Sequence, residues 1–260
     1  MAAIAQLFSL LSALLLTSCA NNSTPAIQTK PVVIYAASSL TEVFAELSED
    51  FEHSHPNVDV QLTFAGSQVL RLQIEQGATV DLFASANTDH IQALVDAQLI
   101  ATSQVFTENE IVVIVPSQNP NNIVDFDDLS TASRIVIGTK NSPIGAYTHA
   151  VLESARNQFG DPFVAHIRAH IVSEESNTRL VRTKIALGEA DAAFVYKTDA
   201  IADGLRSIPI PESINVRAQY PIGTIANASH PVEAAAFVDF ISSQQGRRVL
   251  QQHGFRSVQE

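Results

Sequence analysis

The sequence is poor in cysteine, with Cys19 as the single example among 260 residues. One cysteine excludes a disulfide within the chain. Clusters of cysteine and histidine at metal-ligand spacing are also missing, although the chain has eight histidines. We therefore expect no chelated cation and no metal cofactor.

Positive charge is scarce as well. Lys and Arg number 15 against 27 Asp and Glu, which gives a formal net charge of −12. Binding nucleic acid needs clustered Lys and Arg to neutralise phosphates, so we expect no nucleic-acid partner. The same balance means that any anion site must work through local dipoles and short hydrogen bonds instead of bulk attraction.

Signatures of hydrolytic catalysis are missing too. The sequence contains no G-x-S-x-G elbow, and no spacing pairs a nucleophile with a base. We expect no catalysis and no cofactor. The length still allows a sizeable core, in one large domain or two medium ones.

The N-terminal segment has the form of a lipoprotein signal. The apolar run from Ile4 to Leu16 is too short to span a bilayer and ends at Thr17-Ser18-Cys19. Met1 to Gln6 contains no Lys or Arg, which departs from the usual positive start of such signals. We expect a signal over residues 1–19, a lipid anchor at Cys19 and a flexible linker over 20–30. The mature protein is then expected in the periplasm or on the extracytoplasmic membrane surface.

Strand and helix patterns alternate through the rest of the chain. Val32–Tyr35 is an apolar strand, and the stripe from Leu40 to Phe51 has helical spacing. Ile111–Val115 is the most apolar strand, and we also predict a strand at His166–Val172. This alternation predicts an α/β fold in which mainly parallel sheets are flanked by helices.

Two successive β-α series predict two lobes with the ligand cleft between them. We place lobe 1 at residues 31–109 plus 218–260 and lobe 2 at residues 110–217. The crossings between lobes are expected near Ile111–Val115 and Val216–Ile225.

Four strand-to-helix turns place hydroxyl groups beside a helix start. They are Ser38-Ser39, Gly66-Ser67-Gln68, Ser142-Pro143-Ile144-Gly145 and Ser176-Asn177-Thr178. Ser39 with Glu42 also fits the S-x-x-E capping box, so an ordinary N-cap is the alternative to an anion contact. Because the carboxyl ends of parallel strands meet at one edge, these helix starts would converge on a ligand. Each contributes a partial positive charge of about half a unit, which favours an oxyanion.

Several longer stretches resemble the periplasmic molybdate-binding proteins of ABC uptake systems, within the type 2 bacterial solute-binding proteins. The resemblance extends from about Val32 to Phe255. Its matching stretches are Ala37–Thr41, Phe64–Ser67, Gln73–Ala78, Asp81–Ala86, Pro143–Tyr147, Gly188–Tyr196, Phe240–Ile241 and His253–Phe255.

The resemblance implies a ligand set for a tetrahedral oxyanion. Carried over by motif, this set consists of the hydroxyls of Ser39, Ser67 and Tyr196 and the backbone amides of Ile144 and Thr178. Ser38, which stands where alanine is common in the family, is a less certain member. Thr178 replaces a commonly apolar residue, and its hydroxyl would add a contact or alter selectivity. Molybdenum would be bound only as the oxyanion, without coordination by side chains.

The resemblance also implies a function. The chain would capture molybdate or tungstate as a monomer and deliver it to an ABC permease with a cytoplasmic ATPase. Sulfate or phosphate is the alternative ligand. A ligand-sensing regulator domain shares this fold, but the signal segment and the lack of DNA-binding helices argue against it. Arg179 and Arg182 are expected on a solvated helix face.

Overall fold

A mixed sheet with helices on its faces forms the framework of the computed structural model, which describes residues 29–202 and 205–258. This arrangement confirms the predicted α/β fold. Cys19, the predicted signal and nearly all of the predicted linker lie outside the described residues.

The described strands follow the β-α alternation of the sequence. They are β1 Lys30–Ala37, β2 Val58–Ala65, β3 Leu82–Ala84, β4 Ile100–Val115, β5 Ile135–Gly138, β6 Ile171–Glu175, β7 Ala192–Tyr196, β8 Arg206–Pro209 and β9 Arg217–Ile225. The helices are α1 Thr41–Ser54, α2 Ser67–Glu75, α3 Thr88–Asp96, α4 Pro143–Phe159, α5 Asp161–Ala169, α6 Thr178–Ala186, α7 Lys197–Ala202, α8 Pro231–Ser242 and α9 Gln244–Gln252.

The strand order is β2-β1-β3-β9-β4-β7-β5-β6, with β8 beside β4. Strand β1 is parallel to β2 and β3, and β5 is parallel to β6 and β7. Strands β9 and β4 run antiparallel to their neighbours in the middle. Each half therefore contains three parallel strands, and the inner strands β3, β5 and β7 are buried throughout, as their apolar sequences require.

Strand β4 joins the two halves of the sheet. It pairs with β9 from Ile100 to Glu110, and with β7 and β8 from Ile111 onward. The change of partner falls close to where we expected the first crossing. The lobe boundaries themselves stay a prediction.

The predicted strand at His166–Val172 is wrong. Residues up to Ala169 belong to helix α5, and β6 begins only at Ile171. Phe163, Val164 and Ile167 are the buried residues of α5, and their spacing is helical. The Asp161-Pro162 pair, with proline in the first turn, marks the true helix start.

Two buried aspartates, directly before strands β3 and β7, bind backbone N–H groups of neighbouring segments. Asp81 accepts hydrogen bonds from the backbone N–H groups of Val33 and His230, each at 2.9 Å. Asp191 accepts from the N–H groups of Ser133 and Arg134, at 3.0 and 2.9 Å. These positions belong to the family-like stretches, yet their role here is structural.

Candidate oxyanion site

A small pocket lies at the carboxyl ends of the parallel strands in both halves of the sheet. The space free of protein atoms, including its mouth, is ≈ 200 Å³. It is lined by Ala37, Ser38, Ser39, Ala65, Gly66, Ser67, Ala86, Ser142, Pro143, Ile144, Asn177, Thr178 and Tyr196. The structure thus brings all six residues of the predicted ligand set together, including Ser38.

Helix starts supply free N–H groups to this pocket. In α4 the hydroxyl of Ser142 accepts the N–H of Gly145 at 3.2 Å, and in α6 the side chain of Asn177 accepts the N–H of Leu180 at 3.1 Å. The N–H groups of Ile144 and Thr178, within the first turns, have no acceptor inside their helices. Both are therefore available to an anion.

Close packing at the start of α4 requires a glycine. A Cβ atom on Gly145 would lie 2.0 Å from the carbonyl oxygen of Thr139. Only glycine lets the chain before α4 fold back this tightly, and this fold brings Ile144 to the pocket.

Two serine hydroxyls at the pocket each have a hydrogen-bond partner within the chain. Ser67 Oγ accepts the N–H of Ala86 at 3.1 Å. Ser39 Oγ lies 2.9 Å from the hydroxyl of Tyr220. Since an acceptor bond leaves the O–H group unused, Ser67 can donate to a bound anion.

Two other hydroxyls are already committed as donors. Ser142 donates to the carbonyl of Thr139 at 2.7 Å, and Thr178 donates to Asp199 Oδ2 at 2.9 Å. The Thr178 hydroxyl therefore adds no donor to the pocket in this arrangement. Thr178 offers only its backbone N–H.

Tyr196 brings a buried hydroxyl to the end of β7. The residue is 1% exposed, and its hydroxyl has no partner with hydrogen-bond geometry among the described residues, although the Tyr220 hydroxyl lies close to it. Burial raises the pKa of Tyr196 well above its ordinary value and the Tyr220 hydroxyl raises it further, so the group keeps its proton. An unpaired buried hydroxyl is costly, and a ligand acceptor in the pocket would satisfy it.

The predicted capping box at Ser39 and Glu42 is wrong. Ser38–Leu40 form a 3₁₀ turn ahead of α1, and no side chain caps α1. Glu42 instead binds Arg179 across the cleft, with 2.5 Å between Oε1 and Nη1. The extra turn moves Ser39 off the N-cap position.

Behind the pocket lies a buried ion pair that sequence reasoning missed. Arg182 is only 6% exposed, which corrects its expected place on a solvated face. Its Nη1 donates to the carbonyl of Asp199 at 3.2 Å and lies 3.8 Å from Asp199 Oδ1. Burial raises the pKa of Asp199 to about 6, against the lowering effect of Thr178 and Arg182. The position of Arg182 one turn after Thr178, beside the buried Val181, was the available signal.

Several contacts join the two halves around the pocket. Besides the Glu42–Arg179 pair, Gln68 Nε2 donates to the carbonyl of Ser176 at 2.6 Å. His90 Nε2 lies 3.2 Å from the carbonyl of Asn141. The structure therefore shows the cleft in a closed arrangement.

The pocket is electrically neutral in its lining. None of the residues that line it carries a formal charge. A groove of ≈ 1650 Å³ by the same measure lies elsewhere, around Glu110, Lys197 and Arg256, and contains none of the predicted ligand set. Hydroxyls, N–H groups and helix dipoles are thus the means by which the small pocket can hold an anion.

Metal-ligand clusters and membrane-spanning helices are both missing from the part of the chain that the structure describes. Among the described residues, no group of three or more His, Cys, Asp or Glu side chains is placed to hold a metal ion. In the same residues, every helix is too short or too polar to cross a bilayer.

Comparison with known proteins places the chain among bacterial binding proteins. It is 34% identical over 250 residues to the molybdate-binding protein ModA of Mycobacterium tuberculosis, covering 92% of each chain. It is 30% identical to the putative ABC transporter substrate-binding lipoprotein YvgL of Bacillus subtilis, covering 93% of each. The solved structure of the sulfate-binding protein SubI from M. tuberculosis is similar in fold, with a TM-score of 0.78 and 21% identity over 88% of this chain and 87% of that one.

The family comparison covers nearly the whole described chain. Residues 32–256 match the family described as bacterial extracellular solute-binding protein. This match agrees with the expectation that the chain binds a solute and does not catalyse a reaction. The chain therefore belongs to the bacterial extracellular solute-binding protein family.

Proposed function

We propose that this protein captures molybdate, and tungstate with it, in the pocket between the two halves of the sheet. The observation that carries the proposal is the unpaired buried hydroxyl of Tyr196, in a pocket that also receives the free proton of Ser67 and the free N–H groups of Ile144 and Thr178. The similarity to a relative named for molybdate binding supports it.

The donors favour an oxyanion that carries no proton. A fully ionised tetrahedral anion offers only acceptors, and these match a pocket whose free groups are donors. Hydrogen phosphate would need an acceptor for its own proton. Sulfate satisfies the same pattern as molybdate, so size alone separates these two, and sulfate is the competing ligand.

Titration calorimetry with molybdate, tungstate, sulfate and phosphate tests the proposal. We expect molybdate and tungstate both to bind more tightly than sulfate. Phosphate should bind weakest, because its proton has no acceptor. Tighter binding of sulfate or phosphate than of molybdate would contradict the choice of ligand.

Closure of the two halves is the proposed mechanism. A ligand that contacts Ser39 and Ser67 on one half and Ile144 and Thr178 on the other favours the closed state over an open one. An ABC permease with a cytoplasmic ATPase would then recognise the closed form and take the anion. We further propose that the protein works as a monomer, which sedimentation with and without molybdate would test.

A lipid anchor at Cys19 would keep the protein at the membrane surface. The similarity to a relative named as a lipoprotein supports this proposal. We expect the full-length protein in the membrane fraction of a producing cell and the Cys19→Ser variant outside it. Equal distribution of both proteins would contradict the anchor.

A further inference from the structure

A row of three buried side chains leads from the central strands to Ser39. Asn109 on β4 places Nδ2 3.5 Å from the hydroxyl of Tyr220 on β9. The Tyr220 hydroxyl lies 2.9 Å from Ser39 Oγ. Asn109, Tyr220 and Ser39 are 1%, 0% and 5% exposed, so water does not compete for these groups.

The orientation of Asn109 is set by its own neighbours. Its Oδ1 accepts the N–H of Glu110 at 2.9 Å, and its Nδ2 donates to Thr198 Oγ1 at 2.9 Å. The amide nitrogen therefore faces Tyr220, and an amide nitrogen only donates. At 3.5 Å this contact is long, and it acts mainly by presenting an N–H dipole to the phenol oxygen.

The amide nitrogen of Asn109 influences the direction of the hydrogen bond between Tyr220 and Ser39. A donor facing the Tyr220 oxygen favours the arrangement in which Tyr220 donates its own proton to Ser39 Oγ. Burial raises the pKa of Tyr220 well above its ordinary value, so the proton is retained. The lone pair of Ser39 is then occupied, and the Ser39 proton is left for the pocket, as it is in Ser67.

We propose that Tyr220 is a positioning residue for the bound oxyanion, which fixes the Ser39 hydroxyl as a donor into the pocket. This inference rests on the proposed function, because it assigns a partner to one of the proposed ligands. A phenol that donates to Ser39 also polarises the serine O–H group and strengthens its bond to an anion.

The aromatic ring of Tyr220 also contacts a second residue of the proposed ligand set, Tyr196. It packs edge-on against the ring of Tyr196, with 5.6 Å between centroids. Strand β9, which carries Tyr220, pairs with β3 on one side and β4 on the other. Tyr220 therefore holds a ligand hydroxyl of one half and packs on a ligand ring of the other.

A double-mutant cycle between Tyr220 and Ser39 tests the proposal. Tyr220→Phe removes only the hydroxyl and should weaken molybdate binding about five- to tenfold, the loss of one buried hydrogen bond. In the Ser39→Ala background the same change should alter affinity by less than about twofold, because its target is gone. An equal loss in both backgrounds would show a general packing role and overturn the proposal. No loss in either background would overturn it as well.

Tyr147→Phe is the matched control. The hydroxyl of Tyr147, on helix α4, accepts the N–H of Gln219 at 3.3 Å. Gln219 lies next to Tyr220 on strand β9, and the Tyr147 hydroxyl does not contact Ser39. If loosening β9 were enough to weaken binding, Tyr147→Phe would reproduce the effect of Tyr220→Phe. We expect its effect to be smaller and equal in both Ser39 backgrounds.

Two further provisions keep the test decisive. If Tyr220→Phe does not fold, as judged by thermal melting, Asn109→Ala replaces it in the cycle. This variant should show a smaller loss of affinity that again depends on Ser39, and a loss independent of Ser39 would overturn the proposal.

If the wild-type protein binds sulfate and not molybdate, the ligand proposal fails, and the cycle with sulfate still decides the role of Tyr220.

Discussion

Hydrogen-bond direction distinguishes the hydroxyl groups around the pocket. Ser142 and Thr178 already donate to protein acceptors, whereas Ser67 accepts from Ala86 and retains a free proton. Tyr196 has no partner with hydrogen-bond geometry among the described residues. A hydroxyl contributes to anion binding only when its proton is free.

Loss of a serine hydroxyl should weaken binding strongly. Ser39→Ala and Ser67→Ala each remove a hydrogen bond to a charged ligand and should cost about 1.5–3 kcal/mol of binding free energy. Titration calorimetry measures the loss. Ser48→Ala is a suitable control, because the hydroxyl of this buried serine bonds to Ala45 of its own helix. Unchanged affinity in both pocket variants would refute the ligand set.

The buried carboxyl of Asp199 should make stability depend on pH. Its folded pKa of about 6 lies above the ordinary 3.8, so folding favours the protonated form. The resulting stabilisation is complete below about pH 4 and is lost as the pH rises through 6, a change on the order of 3 kcal/mol. Relative to Asp199→Asn, the wild-type protein should therefore become less stable from pH 4 to pH 7. Urea unfolding at both pH values measures the difference, and parallel pH profiles would contradict the expectation.

For single residues, the sequence predicts which positions reach the pocket better than it predicts their hydrogen-bond partners. Ser39 and Ser67 could be found because they follow a strand and precede a helix, which is a local signal. The partners Tyr220, Asp199 and Ala86 are set by long-range packing and have no local signal. The capping box failed for the same reason, since Arg179 from the other half takes the Glu42 carboxylate.

Helix starts are the structural elements that build the pocket. Helices α2, α4 and α6 begin at Ser67, Pro143 and Thr178, all beside the same space. This convergence could be predicted because parallel strands end at one edge of the sheet. The alternation of strands and helices alone could not correct the strand predicted at His166–Val172. A short apolar pattern fits both the helical and the strand periodicity.

The start of α2 should control closure of the cleft. A Cβ atom on Gly66 would lie 2.4 Å from the carbonyl oxygen of Ser176 in the other half. The backbone of Gly66 has φ −63° and ψ 137°, which alanine adopts without strain. Gly66→Ala should thus weaken molybdate binding by about tenfold or more, while changing the stability of the free protein by less than about 0.5 kcal/mol.

Calorimetry and thermal melting together test this expectation. Gly145→Ala is the contrasting variant, because its clash with Thr139 lies within one half and opening of the cleft cannot relieve it. We expect Gly145→Ala to lower the melting temperature of the free protein. A comparable drop for Gly66→Ala would show that its clash is not specific to closure.

The charge of the whole molecule opposes its proposed ligand. A net charge of −12 repels a dianion, and the pocket lining offers no formal charge in return. Raising ionic strength from about 0.01 M to about 0.15 M shortens the screening length from about 30 Å to about 8 Å and weakens this repulsion. Molybdate affinity should therefore stay constant or rise slightly over this range. A steep fall, as in sites built from Lys and Arg, would contradict a neutral site.

The two-part architecture follows from the repeated β-α pattern, whereas the closed arrangement of its halves does not. Closure depends on contacts such as those from Gln68 to Ser176 and from His90 to Asn141, which join residues far apart in the chain. The strengths of these contacts depend on the three-dimensional arrangement of the two halves, which no local sequence pattern predicts.

A crystal structure of the molybdate complex, with anomalous scattering at the molybdenum edge, tests the site most directly. We predict a single strong peak between Ser39, Ser67, Ile144, Thr178 and Tyr196, with anion oxygens about 2.7–2.9 Å from their donors. A peak elsewhere, such as the groove around Glu110 and Lys197, or oxygens held by Lys or Arg side chains, would contradict it.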